Sequence, residues 1–202
     1  MVKNVDLVII GGGPAGYEAA FVAASGGMKT VILEKEAIGG TCLNHGCIPT
    51  KTIMHSTGLF KKLEKIDELG INLENKSIDF RVVQNRKKEI VDKLRDGILS
   101  RINKNNVEVI LGEGKIISKN AVKIGDETIE TKFILIATGT SAMIPPIRGF
   151  DIDGVITSDE ILEYNKKPYK ELTIIGGGVI GTEFANIFSD VGTHVTVIEA
   201  LD

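Results

Sequence analysis

Apolar residues fall along the chain in short dense runs and in one long spaced series. The runs at 5–10 and 172–175 are nearly continuous, the pattern of parallel strands covered on both faces. Each is followed by a glycine-rich turn, a stretch predicted as helix, and a further apolar run that ends on an acidic residue, Glu34 or Glu199. Two strand–turn–helix–strand units are therefore predicted. Between them, 47–68 is predicted helical. Phe80, Val83, Ile90, Leu94, Ile98 and Ile102 recur at helical spacing and predict a second helix over 79–104. Its charged residues Arg86, Lys87, Lys88 and Glu89 are read as a solvated face. The β-type runs 107–111, 115–117, 121–124 and 128–130 predict an antiparallel meander, and 133–137 a further buried strand. Pro145 and Pro146 break the pattern and divide the chain into domains 1–147 and 148–202.

Shifted by 165 residues, the chain matches itself. DLVIIGGGPAG at 6–16 aligns with ELTIIGGGVIG at 171–181, Glu18 with Glu183, Gly27 with Gly192, and Glu34 with Glu199. The offset is too long for a solenoid and fits two copies of one supersecondary unit. In each copy the first glycine (Gly11, Gly176) makes the turn. The second (Gly13, Gly178) lets backbone approach a pyrophosphate, and the third (Gly16, Gly181) lets helix pack closely on strand. Pro14 and Ala15, and likewise Val179 and Ile180, open helices whose N–H groups and dipole favour phosphate. Glu34 and Glu199 each lie 18 residues past the third glycine, a spacing that suits ribose hydroxyls. Lys35 adjoins the first of them.

Composition narrows the setting. The chain is 43% hydrophobic and 25% charged, enough for an ordinary globular core. A net charge of −3 gives no reason to expect nucleic acid or a membrane surface as partner. No apolar run approaches the ~18 residues of a spanning helix. Met1-Val2-Lys3-Asn4 lacks the apolar core of a signal peptide, so a cytoplasmic location is expected. Two cysteines in a reducing compartment are poor structural staples. Cys42 and Cys47 would close a loop so short that the cross-link stabilises by only about 2 kcal/mol. They are read as a redox pair.

The run GGTCLNHGCIPTK at 39–51 begins five residues after Glu34, leaving the first unit on its cofactor side with Gly40 and Thr41. Pro49 fits the first turn of a helix, which puts Cys47 at the helix N-terminus, where the dipole favours a thiolate. Lys51, one turn on, faces the same way. Cys42, further out on the loop, is placed to exchange with a disulfide substrate. His45 supplies a third soft ligand with no fourth, so no metal site is assigned.

A disulfide beside one dinucleotide unit, with a second unit downstream, implies an electron chain from nicotinamide through a flavin to sulfur. The first unit is assigned to FAD and the second to NAD. Glu199 argues for NAD over NADP, because a carboxylate repels a 2′-phosphate. The fold expected is α/β: a Rossmann-like FAD-binding domain with an inserted antiparallel β-meander, then the start of a second Rossmann-like, NAD-binding domain.

These motifs resemble the pyridine nucleotide–disulfide oxidoreductases over essentially the whole chain. Leu43 and Ile48 are most similar to the branch that oxidises dihydrolipoamide. The resemblance implies that Gly114 and Lys115 meet the adenine and that Ala137-Thr138-Gly139 forms the crossing out of the FAD domain. It implies catalytic roles for Cys42, Cys47, Lys51 and Glu183, the last pairing with Lys51 near the flavin ring. It implies conversion of dihydrolipoamide and NAD to lipoamide and NADH, a lipoyl domain of a 2-oxoacid dehydrogenase complex as partner, and a homodimer. Another FAD-dependent disulfide reductase or a mercuric reductase is the alternative within the enzyme class. His45, His55 and His194 receive no role. Family members are about twice as long. The resemblance therefore also implies segments beyond Asp202 that complete both nucleotide sites and supply a His–Glu acid–base pair, without which the chain by itself is expected to be a non-catalytic nucleotide-binding fragment.

Overall fold

The computed structural model describes residues 2–164 and 166–200. In chain order the elements are β1 (Val2–Ile10), α1 (Pro14–Ser25), β2 (Thr30–Glu34), α2 (Gly40–Asn44), α3 (Cys47–Lys62), a 3-10 segment (Leu63–Leu69), α4 (Phe80–Lys104), β3 (Glu108–Leu111), β4 (Gly114–Ser118), β5 (Ala121–Ile124), β6 (Glu127–Ile136), α5 (Ser158–Leu162), β7 (Glu171–Ile175), α6 (Val179–Ser189) and β8 (His194–Ile198). They form two compact units. The first comprises Met1–Gly46 and Val91–Ser141, the second Cys47–Ile90 and Ala142–Asp202. Packing thus groups 47–90 with the downstream segment, a division different from a cut at 147/148. Helix α4 contributes its first half to the second unit and its second half to the first.

The first unit is built on a six-stranded sheet in the order β3-β2-β1-β6-β5-β4. β3, β2, β1 and β6 run parallel; β6-β5 and β5-β4 are antiparallel. Apolar residues run unbroken through 7–10 of β1 and 31–33 of β2 because both faces are covered there. Leu7, Ile9 and Ile32 pack with Ala20 and Phe21 of α1 and Ile102 of α4. Val5, Val8, Val31 and Leu33 pack with Val122, Ile124 and Ile129 of the meander. Ile9, Ile32 and Leu33 are fully buried, each worth about 1.5–3 kcal/mol over an exposed side chain.

Four sequence expectations are corrected here. Residues 107–111 do not join the meander: β3 pairs in parallel with β2 at the sheet edge. The runs 128–130 and 133–137 fall largely in one strand, β6, whose residues 127–130 pair with β5 while 128–136 lie along β1. Phe133 and Ile136 are exposed rather than buried. The helix predicted to Glu68 ends as α at Lys62 and continues only as 3-10 turns.

In the second unit β7 and β8 pair in parallel, and Leu172, Ile174 and Val195 pack with Phe184, Ile187 and Phe188 of α6. Ile53 of α3, Phe80 and Val83 of α4, and Ile161 and Leu162 of α5 join the same core. Burial in β7 alternates: Leu172 and Ile174 pack toward α6, and Ile175 is exposed. Lys87, expected on a solvated face, is buried. Its Nζ donates to the Leu162 carbonyl (3.0 Å) and to Glu163 (2.7 Å), satisfying the last turn of α5. Helix α5 starts with a capping box, Thr157 and Glu160. Among the described residues no helix is long and apolar enough to cross a membrane.

Candidate active site

The duplication visible in the sequence is reproduced in geometry. Leu7 pairs with Thr30 and Ile10 with Leu33; 165 residues on, Leu172 pairs with Val195 and Ile175 with Ile198. Gly11 has φ +107° and Gly176 +106°, backbone that an L side chain rarely adopts. A Cβ on Gly16 would lie 1.9 Å from the Gly11 carbonyl oxygen, and one on Gly181 2.0 Å from that of Gly176. Neither α1, preceded by Gly13, nor α6, preceded by Gly178, has a side-chain cap. Their first-turn N–H groups are aimed out of the turn, as an anion site requires.

The acidic residues do more than end their strands. Glu34 is buried and accepts hydrogen bonds from the Gly12 N–H (2.7 Å) and the Glu36 N–H (2.8 Å). Glu199 accepts from the Gly177 N–H (2.6 Å) and the Ala200 N–H (2.7 Å). Each carboxylate locks its glycine turn at the place where a ribose hydroxyl would be bound. These bonds were not foreseen; the equal spacing of the two glutamates was their only trace in the sequence.

Around the first turn the structure gathers most of the residues expected to hold FAD. Gly11 abuts the Ala137 carbonyl, 2.1 Å from where its Cβ would be, and Ala137 N–H donates to Ile10 (2.8 Å). Gly13 and Gly40 face each other closely enough that a Cβ on Gly40 would lie 2.7 Å from the Gly13 Cα. Gly114 sits beside Leu33, 2.7 Å from its own missing Cβ. Pro14, Ala15 and Gly16 form the first turn of α1. Lys35, Thr41, Lys115, Thr138 and Gly139 are exposed around this region. The glycines at each close approach let the chain pack where any side chain would collide, as the tight turn of a dinucleotide site requires. In the second unit Gly176, Gly178, Val179, Ile180 and Gly181 form the corresponding turn, with Val179 and Ile180 exposed.

Cys42 lies in α2 and is half-buried; Cys47 is the first residue of α3 and is exposed. Pro49 and Thr50 are buried in the first turn of α3. Tyr17 was missed by sequence reasoning, although it directly follows the GGGPAG turn. Burial pushes its phenol pKa up, Glu18 and the nearby Cys42 add to this, and Arg101 opposes it.

Within the second unit α3 packs on α6, and this brings Lys51 Nζ to 2.5 Å from Glu183 Oε1. The Lys51 side chain is 55% exposed, so the pair is worth at most about 1 kcal/mol to stability. Lys51→Met is therefore expected to shift Tm by less than about 4 °C in thermal unfolding. A larger fall would mean that the pair is there to hold α3 on α6. Among the described residues no cluster of three or more His, Cys, Asp or Glu is arranged for a metal ion.

Comparison with known proteins agrees with this geometry. The family model for pyridine nucleotide-disulphide oxidoreductase matches residues 5–202. The dihydrolipoyl dehydrogenase of Acholeplasma laidlawii is 42% identical over 100% of this chain and 61% of its own length. That of Bacillus subtilis (strain 168) is 38% identical over 100% of this chain and 45% of its own. The HOCl-induced flavoprotein disulfide reductase RclA from Escherichia coli, solved as a Cu(II) complex, superposes with a TM-score of 0.84 at 33% identity, covering 98% of this chain and 42% of that one. The chain thus spans about half the length of such relatives, across the part that carries both glycine turns and the two cysteines. It belongs to the pyridine nucleotide-disulphide oxidoreductase family.

Proposed function

We propose that the protein carrying this chain is a flavin-dependent dihydrolipoamide dehydrogenase, with FAD at the first glycine turn, NAD at the second, and a Cys42–Cys47 redox disulfide. The observation that carries this reading is the duplicated turn, each copy locked by a glutamate, with the two cysteines in the loop that leaves the first copy. One thiolate of dihydrolipoamide attacks Cys42 Sγ, the Cys42–Cys47 bond breaks, and Cys47 leaves as a thiolate. The second substrate thiolate attacks the substrate sulfur of the mixed disulfide. The bond to Cys42 breaks, closing lipoamide and leaving two electrons on the protein's dithiol. Bound FAD supplies a two-electron relay from that dithiol to NAD. Lys51, with Glu183 beside it, holds positive charge on the Cys47 side of α3. The protein is read as a cytoplasmic homodimer that meets lipoamide on the lipoyl domain of a 2-oxoacid dehydrogenase complex.

The test is anaerobic mixing of purified protein with dihydrolipoamide and NAD. Flavin absorbance and NADH formation are expected together; a flavoprotein that reduces other disulfides with NAD(P)H and ignores dihydrolipoamide would overturn the substrate assignment. That second reading, a different disulfide reductase, is favoured by the likeness to RclA.

Glu199 is expected to set the nucleotide preference. Its carboxylate directly follows β8 and would face a 2′-phosphate at close range, so NAD should be preferred over NADP. Glu199→Ala is expected to narrow that preference by about tenfold, which corresponds to ~1.4 kcal/mol. Steady-state kinetics with both nucleotides measure it. An unchanged ratio would remove Glu199 from the specificity argument.

A further inference from the structure

Asn44, two residues beyond Cys42, closes the redox loop on itself. Its Nδ2 donates to the carbonyls of Ala37 and Ile38, each at 3.3 Å. Between these points the chain reverses through Gly39 (φ +110°) and Gly40 (φ +58°), and Leu43 is buried against Gly39. The carboxamide oxygen of Asn44 faces the other way, toward α4. It accepts from Arg95 Nε at 3.2 Å and Nη2 at 2.7 Å, while Arg95 Nη1 donates to Asp92 at 2.9 Å. A guanidinium fork has only donors, so it fixes which end of the carboxamide points at it and thereby turns the NH2 group onto the loop carbonyls. Cys42 is carried on the short arc between the two anchored ends.

We propose that Arg95 is a positioning residue for the Cys42 thiol, acting through Asn44 to hold the 37–44 loop in the geometry that sulfur exchange requires. The inference rests on the reading of Cys42 as the sulfur that meets substrate. Exchange needs three sulfurs nearly in line, and displacement of a reacting group by about 1 Å can cost on the order of 10²-fold in rate. Arg95 reaches the loop through the Asn44 carboxamide.

The experiment compares Arg95→Met, Arg95→Lys, Asn44→Ala and the Arg95→Met/Asn44→Ala double variant in the flavin-loaded protein. Two rates are read: dihydrolipoamide-dependent turnover, and NADH oxidation by ferricyanide, which draws electrons from flavin without using the thiols. Arg95→Met is expected to slow the thiol-dependent rate by about 10–10²-fold and leave the ferricyanide rate within about twofold. Arg95→Lys, which lacks the fork, is expected to recover only part of the loss. The double variant is expected to be no slower than the worse single variant by more than about twofold. Equal loss of both rates, or full additivity of the two substitutions, overturns the proposal, as does an Arg95→Met protein with normal thiol turnover. If Arg95→Met fails to fold, Arg95→Lys carries the same test. Absence of thiol-dependent turnover in the unsubstituted protein would instead refute the proposed function, and this inference with it.

Discussion

Serine in place of Cys42 or Cys47 is expected to remove nearly all dihydrolipoamide-dependent turnover, on the order of 10⁴-fold or more, because neither half of the exchange can proceed without its sulfur. A hydroxyl is close to the thiol in size but is neither a comparable nucleophile nor a partner for a disulfide bond at neutral pH. The loss should be confined to sulfur chemistry. Cys47 is exposed and Cys42 half-buried, so neither substitution empties a core site, and flavin content should stay within a few tens of per cent. Anaerobic reductive titration reads the electrons directly: the unsubstituted protein should take up one two-electron equivalent more than either variant. The ferricyanide rate should survive in both. Retention of dihydrolipoamide turnover within tenfold by either variant would mean that the pair is not the redox centre.

Much of this site can be seen in the sequence because it is duplicated. Periodicity and glycine spacing are local properties, and a unit repeated at a fixed offset shows its strands, turn and acid twice. Symmetry also misleads. Glu18 and Glu183 are equivalent by alignment, yet Glu18 pairs with Arg101 while Glu183 pairs with Lys51. The turn fixes where each glutamate sits on its helix; the neighbouring helix decides what it meets. Contacts made across long stretches of chain leave no local trace. Arg95 and Asn44 lie 51 residues apart, and Lys87 and Leu162 75, so α4 looks like a charged surface helix although Lys87 and Arg95 are committed to distant backbone or side-chain acceptors. β-type runs disclose a strand but not its partner, which is why β3 was expected in the meander. One signal was present and unused: Thr157-Ser-Asp-Glu160 has the spacing of a capping box and marks the start of α5.

The same change, glycine to alanine, is expected to act with opposite sign at Gly16 and Gly97. A methyl at Gly16 would lie 1.9 Å from the Gly11 carbonyl oxygen, a backbone atom that cannot swing aside. Gly11 is itself held: its N–H donates to Leu33 (2.8 Å), and its Cα side abuts the Ala137 carbonyl. Relief therefore requires α1 to move off β1, which opens the contacts of Ala20 and Phe21 with Ile9 and Ile32. Overpacking of this kind costs about 3 kcal/mol, equivalent to roughly 6–12 °C in Tm. It also displaces the helix N-terminus that would face the pyrophosphate, so flavin affinity should fall together with stability. Gly97 lies within α4 with nothing within 4 Å of its would-be Cβ. Alanine there removes backbone freedom from the unfolded chain and should stabilise by about 0.5–1 kcal/mol with flavin binding unchanged. Gly181→Ala repeats the Gly16 clash at 2.0 Å in the second unit and should weaken NAD binding while sparing the flavin. Thermal unfolding and nucleotide titrations on the three variants decide the matter. If Gly16→Ala binds flavin normally and unfolds at the ordinary temperature, the close approach of α1 to its strand is not what shapes the FAD site.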